Sequence, residues 1–289
     1  MKKKHIIYLI LIAACVLVFF AYRGYENMAS DNRAPKITVP EGIKELTVNS
    51  SETELLADLT ATDDKDGDVT SSLVVESVQL TGEKGKAKVS IAAFDKSGNV
   101  SKVIREVVYT DYESPKFTLT SSLTFSQNSG TDVLNIIKVN DIFDGDISHR
   151  IRATTLDEES ITSPGVHNVE FRVTNSLGDT AELVLPVEVY SQGTYNASLS
   201  LSDYIIYLKK GDAFNKTDYL GSFTIGNEKT NLGANLPSGF YLRTEGEVNT
   251  DEAGVYSLSY YVTYQSQGTG YGAGQSYKGF SKLIVVVEE

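Results

Sequence analysis

From about residue 35 onward, hydrophobic and polar residues alternate in short runs. Examples are "AKVSIAAF" at residues 87–94 and "HNVEFRVT" at residues 167–174. A period of two residues is typical of β-strands with one buried face. Clusters of Gly, Asn, Asp and Pro separate the runs and mark turns. The pattern therefore predicts an all-β protein whose many short strands form β-sandwiches.

This pattern repeats at an interval of about 80 residues. "APKITV" at residues 34–39 matches "SPKFTL" at 114–119, and "DGDVTSSL" at 66–73 matches "DGDISHRI" at 144–151. The segment after residue 190 keeps the closing strands but lacks the Asp-Gly-Asp turn, and it holds 11 of the 17 tyrosines. We therefore predict three tandem sandwich domains: residues 35–110, residues 111–190, and a divergent, tyrosine-rich domain at 191–289.

The N-terminus has a different pattern. Three lysines at residues 2–4 precede an uncharged, largely apolar run at residues 6–22, and Arg23 closes it. We predict a cytoplasmic flank and transmembrane signal anchor at residues 1–23, then a linker at 24–34, with the bulk of the chain extracellular on a single-pass membrane protein. Two alternatives remain: a cleaved secretory signal, or a lipoprotein signal in which Cys15 of "IAAC" is lipidated.

Two motifs of the first repeat resemble a known family. "ATDDKDGDVT" at residues 61–70 and "GKAKVSIAAFDKSGN" at 85–99 are similar to the bacterial immunoglobulin-like repeat of Gram-positive surface proteins and an insecticidal crystal toxin. The second repeat departs from that pattern, because Thr174-Asn175 replaces its Ala-x-Asp element. The resemblance covers about 155 residues, two copies, with the third segment divergent. It implies immunoglobulin-like sandwiches, export, and a spacer or adhesive role without catalysis.

The acids around the first Asp-Gly-Asp turn permit two interpretations. Spacing from Asp64 begins like an EF-hand, but the sixth and twelfth positions are Val69 and Val75, where that loop needs Gly and Glu. We therefore favour a structural turn, in which Gly permits positive φ and Asp caps backbone N–H groups. The alternative is a calcium site of another kind, with no other cofactor expected. Its candidate ligands are Asp63, Asp64, Asp66, Asp68 and Asp95.

Composition and motifs narrow the function classes. The net charge of −12 and the lack of a Lys/Arg-rich stripe argue against nucleic-acid binding. No catalytic motif occurs, so we expect no enzyme and no catalytic residues. The segment "YQSQGTGYGAGQSYKGF" at 264–280 has the composition of a binding loop, with Tyr264, Tyr271 and Tyr277 as candidate contacts.

We therefore predict a membrane-anchored stalk or adhesive module of Gram-positive type. The alternative is an accessory protein that recognises cell-wall glycan or a surface protein through the loop at residues 264–280.

Overall fold

The computed structural model describes residues 2–29, 31–130, 132–157, 160–266 and 274–289. Its contacts divide the chain into two compact units, Met1–Tyr112 and Glu113–Glu289. Apart from a long helix at the N-terminus, almost all regular structure is β, so the predicted all-β class is confirmed.

The N-terminal helix, α1, covers Lys2–Ala29. Within the described residues, no helix combines the length and the apolar character needed to cross a membrane. The predicted transmembrane helix at residues 6–22 is therefore not supported. Its uncharged run has 17 residues, which is the short limit of the roughly 17–25 that a spanning helix requires.

The first unit contains one sandwich of two sheets. A three-stranded sheet has the order β1-β3-β4, and a four-stranded sheet has the order β2-β7-β6-β5. A short helix, α2 (Glu52–Leu56), begins at a capping box formed by Ser51 and Glu54. The strands are β1 (Lys36–Thr38), β2 (Lys44–Leu46), β3 (Thr60–Asp63), β4 (Gly67–Asp68), β5 (Val74–Leu80), β6 (Lys86–Phe94) and β7 (Val100–Tyr109).

The second unit repeats this topology twice. Three-stranded sheets have the orders β11-β10-β8 and β15-β17-β18, and four-stranded sheets the orders β12-β13-β14-β9 and β16-β21-β20-β19. The first set of strands is β8 (Lys116–Leu119), β9 (Thr124–Ser126), β10 (Ile137–Asp141), β11 (Gly145–Asp146), β12 (Arg152–Thr155), β13 (Gly165–Thr174) and β14 (Thr180–Tyr190). The second set is β15 (Ser198–Leu201), β16 (Ile205–Lys209), β17 (Leu220–Ile225), β18 (Glu228–Asn231), β19 (Phe240–Glu245), β20 (Gly254–Gln265) and β21 (Ser276–Glu288).

All three sandwiches share one parallel strand pair in the four-stranded sheet. β2 pairs with β7, β9 with β14, and β16 with β21, whereas the other strand pairs of the described residues are antiparallel. The segment after residue 190 therefore has the strand order of the two repeats, although its sequence has diverged and its Asp-Gly-Asp turn is absent.

Within the second unit, the two sandwiches are packed side by side. Phe117 and Phe171 of one share a buried cluster with Ile284 of the other. Lys282, with a side chain 4% exposed, pairs with Glu188 across the contact, with 2.7 Å between Nζ and Oε2. A core shared in this way makes the two sandwiches one structural body.

Candidate metal centre

Three loops of the first unit bring four carboxylates together. Asp63 ends β3, Asp66 lies in the turn before β4, and Asp95 follows β6. Asp31 comes from the segment between α1 and β1. One carboxylate oxygen from each of the four lies within 4.8 Å of the others. The structure thus gathers three of the five acids expected from the sequence and adds Asp31.

Asp63 is fixed by the backbone of its own turn. Its Oδ1 accepts hydrogen bonds from the N–H groups of Asp66 at 2.9 Å and Lys65 at 2.8 Å. These bonds, with that of Asp66 the strongest cause, hold the pKa of Asp63 below its ordinary value, so the group is ionised at neutral pH. The residue is 8% exposed, and its other oxygen, Oδ2, has no hydrogen-bond partner. A charged oxygen buried in this way is costly unless a ligand satisfies it.

Asn99 holds the carboxylate of Asp95 and the backbone of Asp31. Asp95 accepts the Asn99 backbone N–H at 2.8 Å and its side-chain Nδ2 at 2.7 Å. The same Nδ2 donates to the backbone carbonyl of Asp31 at 3.1 Å, which holds the entering segment against this hairpin. The Oδ2 atom of Asp31 is buried and, like that of Asp63, has no hydrogen-bond partner.

Asp66 is joined to the later hairpin through Lys96. Its Oδ2 accepts the Lys96 backbone N–H at 2.8 Å, and its Oδ1 lies 3.4 Å from the Lys96 ammonium. That ammonium group is on a side chain 82% exposed, so water screens its charge. An exposed lysine offsets the four negative charges poorly.

The arrangement fits Ca²⁺ better than other cations. Oxygens that share one Ca²⁺ at roughly 2.3–2.6 Å lie at most about 5 Å apart, which agrees with the observed limit of 4.8 Å. Mg²⁺ usually takes one or two carboxylates and keeps several waters, whereas Ca²⁺ accepts many carboxylate oxygens in flexible geometry. Zinc favours His and Cys, and this cluster contains only carboxylates.

The second repeat builds the same turn without the acid cluster. Asp141 corresponds to Asp63, and its Oδ1 accepts the N–H groups of Phe143 and Asp144, each at 2.9 Å. Its Oδ2, however, accepts a hydrogen bond from Asn175 Nδ2 at 3.1 Å, and Asn175 occupies the position of Asp95. The atom without a partner in the first repeat therefore has a protein donor in the second.

The Asp-Gly-Asp turn of the second repeat also has a cationic side chain beside it. Arg150 places its NH1 2.6 Å from Oδ2 of Asp144, the counterpart of Asp66. Hydrogen bonds from Ser176 and the Arg150 guanidinium lower the pKa of Asp144. Ser72 stands at the position of Arg150 in the first repeat. In the second copy, side chains of the repeat itself therefore provide a partner for each of these two acids.

Two acids expected from the sequence lie outside the cluster. Asp64 pairs instead with the exposed Arg33, with 2.6 Å between Oδ2 and NH1. Asp68 accepts the Thr70 N–H at 2.9 Å, at the start of a short 3₁₀ turn. Gly67 has φ of 75° and Gly145 has φ of 69°, which confirms the predicted turn chemistry of both Asp-Gly-Asp motifs.

Of the three candidate tyrosines, Tyr264 and Tyr277 lie within the described residues and Tyr271 lies outside them. Tyr264 packs on Phe240 at 4.6 Å between ring centroids, and both Tyr264 and Tyr277 border the core of the third sandwich. The Tyr277 hydroxyl donates to the side chain of Gln275 at 2.6 Å. Cys15, the lipidation candidate, is exposed on α1.

Comparison with known sequences gives one short likeness. No family model matches the chain. Over 120 residues the chain is 32% identical to the "Uncharacterized 81.3 kDa protein" of Acholeplasma phage L2. The aligned stretch is 41% of this chain but 15% of the phage protein, so the chain spans a small part of that relative's length. The resemblance to the bacterial immunoglobulin-like repeat stays a prediction.

Solved structures give weak likenesses. One is the CBM51-2 and INT domains of Clostridium perfringens ZmpB in complex with GlcNAc, at 18% identity and a TM-score of 0.21, over 58% of this chain and 31% of that one. Another is mouse cadherin-23 EC22-24, at 10% identity and a TM-score of 0.21, over 89% and 99% of the two chains. At these TM-scores the likenesses carry no argument about this chain.

The chemistry available at the cluster is therefore cation binding. Four fixed carboxylate groups supply oxygen ligands, and two of their oxygens are buried without a partner. A bound divalent cation would relieve the repulsion among like charges and satisfy these oxygens. Because Asp31 precedes β1, the cation would also fasten the entering segment to the sandwich.

Proposed function

We propose that this chain is a non-enzymatic extracellular module of immunoglobulin-like sandwiches, used as a stalk or adhesive element at a Gram-positive type of surface. In this proposal calcium is a structural cofactor of the first sandwich. The observation that carries the cofactor assignment is the buried Oδ2 of Asp63, which has no hydrogen-bond partner, on a carboxylate that lies beside three others. Calcium sites of extracellular modules work at roughly 10⁻⁴–10⁻³ M, so such a site is suited to the outside of a cell.

The side-by-side packing in the second unit supports the structural part of the proposal. A stalk must transmit force without bending at each domain, and a shared core with a buried ion pair resists such bending.

Thermal unfolding of the whole chain in EDTA, in CaCl₂ and in MgCl₂ tests the cofactor assignment. We expect calcium to raise the unfolding temperature of the first sandwich in a saturable way, and magnesium to raise it much less. Asp31→Asn should weaken the calcium effect because it removes one ligand charge. Asp64→Asn is the matched control: this acid was expected from the sequence, but its carboxylate pairs with Arg33 outside the cluster.

Two results would contradict the assignment. One is an unfolding temperature that is the same in EDTA and in calcium. The other is an equal loss of the calcium response in Asp31→Asn and Asp64→Asn, because that would reflect general surface charge and not a site.

A further inference from the structure

A groove lies on the outer face of the four-stranded sheet of the third sandwich. Cross-strand pairing places Tyr241, Thr263 and Lys278 in one row. The next row on the same face contains Arg243, Tyr261 and Phe280. Side chains of one face alternate with those that point into the core, which explains why these six residues share a surface.

Planar groups form a continuous stack across this face. Tyr195 stacks on Phe280 at 5.2 Å between centroids, and Phe280 stacks on Tyr261 at 4.9 Å. The guanidinium of Arg243 lies 4.1 Å from the ring centre of Tyr261 and is ion-paired with Glu245. Burial raises the pKa of Tyr261 to about 12, so its hydroxyl stays neutral. The stack is therefore assembled before any ligand arrives.

The wall formed by residues 194–196 is tied to the start of β21. Asn196 Oδ1 accepts the Lys278 N–H at 2.7 Å, and the N–H groups of Asn196 and Ala197 both donate to the Lys278 carbonyl at 3.1 Å. These bonds hold Tyr195 opposite the edge strand β19, where Tyr241 is 57% exposed. The space between them is an open groove of about 430 Å³. That volume is within the range of about 300–1,000 Å³ typical of small-ligand sites.

The lining has a specific chemical character. It combines three tyrosines with two threonines and carries two cationic side chains, Arg243 and Lys278, but no acid. This is unusual on a chain with a net charge of −12. Aromatic faces accept the apolar C–H face of a sugar ring, the hydroxyls serve sugar hydroxyls, and an arginine or lysine pairs with a carboxylate.

We propose that this groove binds an acidic saccharide, with a sugar ring on the exposed Tyr241 and its carboxylate at Lys278. Phe280 and Arg243 cover the two faces of Tyr261, so that ring forms the floor of the groove. The groove, and not the neighbouring Tyr264 and Tyr277, is then the glycan contact of the third sandwich. The inference stands apart from calcium binding, since it uses only residues of the second unit.

Titration calorimetry of the whole chain with trigalacturonate tests the proposal, with galactotriose as the neutral probe. We expect saturable binding of trigalacturonate that weakens with added salt, and at least tenfold weaker binding of galactotriose. Tyr241→Ala and Lys278→Ala should each weaken binding by about tenfold or more. Both side chains are exposed, so both variants should fold. Far-UV circular dichroism checks that they do.

Matched controls separate this groove from a general effect. Lys229→Ala removes another exposed lysine, on β18 of the opposite sheet, and should leave binding unchanged. The proposal is overturned by the absence of saturable binding, by equal binding of the neutral trisaccharide, or by a loss in Lys229→Ala equal to that in Lys278→Ala. A loss confined to Tyr277→Ala would also overturn it, as would a tri-glutamate peptide that binds as tightly as trigalacturonate.

Discussion

The two copies of the Asp-Gly-Asp turn suggest a substitution that should stabilise the first unit without calcium and destabilise it with calcium. Asp95→Asn gives the first repeat the residue that the second repeat has at Asn175. In the second repeat, Asn175 Nδ2 donates to Oδ2 of Asp141, and its Oδ1 accepts the N–H groups of Leu177 and Asp179. An amide at position 95 would remove one of four like charges and would offer its Nδ2 to Oδ2 of Asp63, in exchange for the hydrogen bond that Asn99 Nδ2 donates to Asp95. We therefore expect Asp95→Asn to be more stable than the native chain when calcium is absent.

In calcium the order should reverse, because the substitution removes a charged ligand. If the native site has a Kd of about 10⁻⁴ M, 10 mM calcium is about 100 times Kd and stabilises the folded form by about 2.7 kcal/mol. For a domain of this size that corresponds to an unfolding temperature higher by about 10–20 °C. Asp95→Asn should retain only a small part of this increase.

Differential scanning calorimetry of both chains, in EDTA and in 10 mM calcium, measures the four unfolding temperatures. The expected result is a crossing: the variant is higher in EDTA and lower in calcium. If Asp95→Asn is less stable than the native chain in both solutions by the same amount, position 95 contributes only to its hairpin. Calcium would then play no part in the fold of the first unit.

Two buried ion pairs lead to further predictions. Lys282→Met should lower the free energy of unfolding of the second unit, measured by urea titration, by about 3 kcal/mol, because it leaves Glu188 at the packed contact without its cation. The double variant with Glu188→Gln should recover part of this loss. Asp58→Asn should lower the free energy of unfolding of the first unit by about 2 kcal/mol, because it leaves the buried Arg105 without its anion. This loss is smaller than that expected for a fully buried pair, since Asp58 is about a third exposed. Arg105, with Lys44, holds the pKa of Asp58 well below its usual range, so this contribution is complete above about pH 4 and is lost as the pH falls through the folded-state pKa. The difference between Asp58→Asn and the native chain should therefore shrink in urea titrations at lower pH, and a difference that is constant from pH 6 to pH 2 would contradict this explanation.

Local sequence patterns predict the fold well here, because the relevant signals are local. Alternation over residues 87–94 is a strand since every second side chain enters one core, and Gly67 marks a turn since it has positive φ. The repeat of about 80 residues then reveals that one topology is used again. The packing between the second and third sandwiches was missed, because Lys282 looks like any surface lysine until the distant Glu188 is placed beside it.

The sequence predicts only part of the candidate metal site, because some of its residues are far apart along the chain. Asp63 and Asp66 belong to one turn, and the hairpin position of Asp95 brings it close, so spacing along the chain could suggest them. Asp31 lies 32 residues before Asp63, between α1 and β1, and only the fold brings it to the turn. Asp64 was a candidate ligand of a calcium site unlike an EF-hand, but in the structure its carboxylate pairs with Arg33 outside the cluster. The direction of each side chain in a turn depends on backbone geometry, which the spacing of residues along the sequence does not specify.

The comparison of the two repeats strengthens the case for a cation more than the acid cluster alone does. Clusters of acids are common on protein surfaces, and a turn of this kind needs only one aspartate to accept two N–H groups. In the second repeat the free oxygen of that aspartate is satisfied by Asn175, and the adjacent acid by Arg150. The first repeat has Ser72 and Asp95 at the positions of these two groups, and the carboxylate of Asp31 joins its cluster. Because no donor of the described residues reaches Oδ2 of Asp63, the proposed divalent cation would supply the partner that Asn175 supplies in the second repeat.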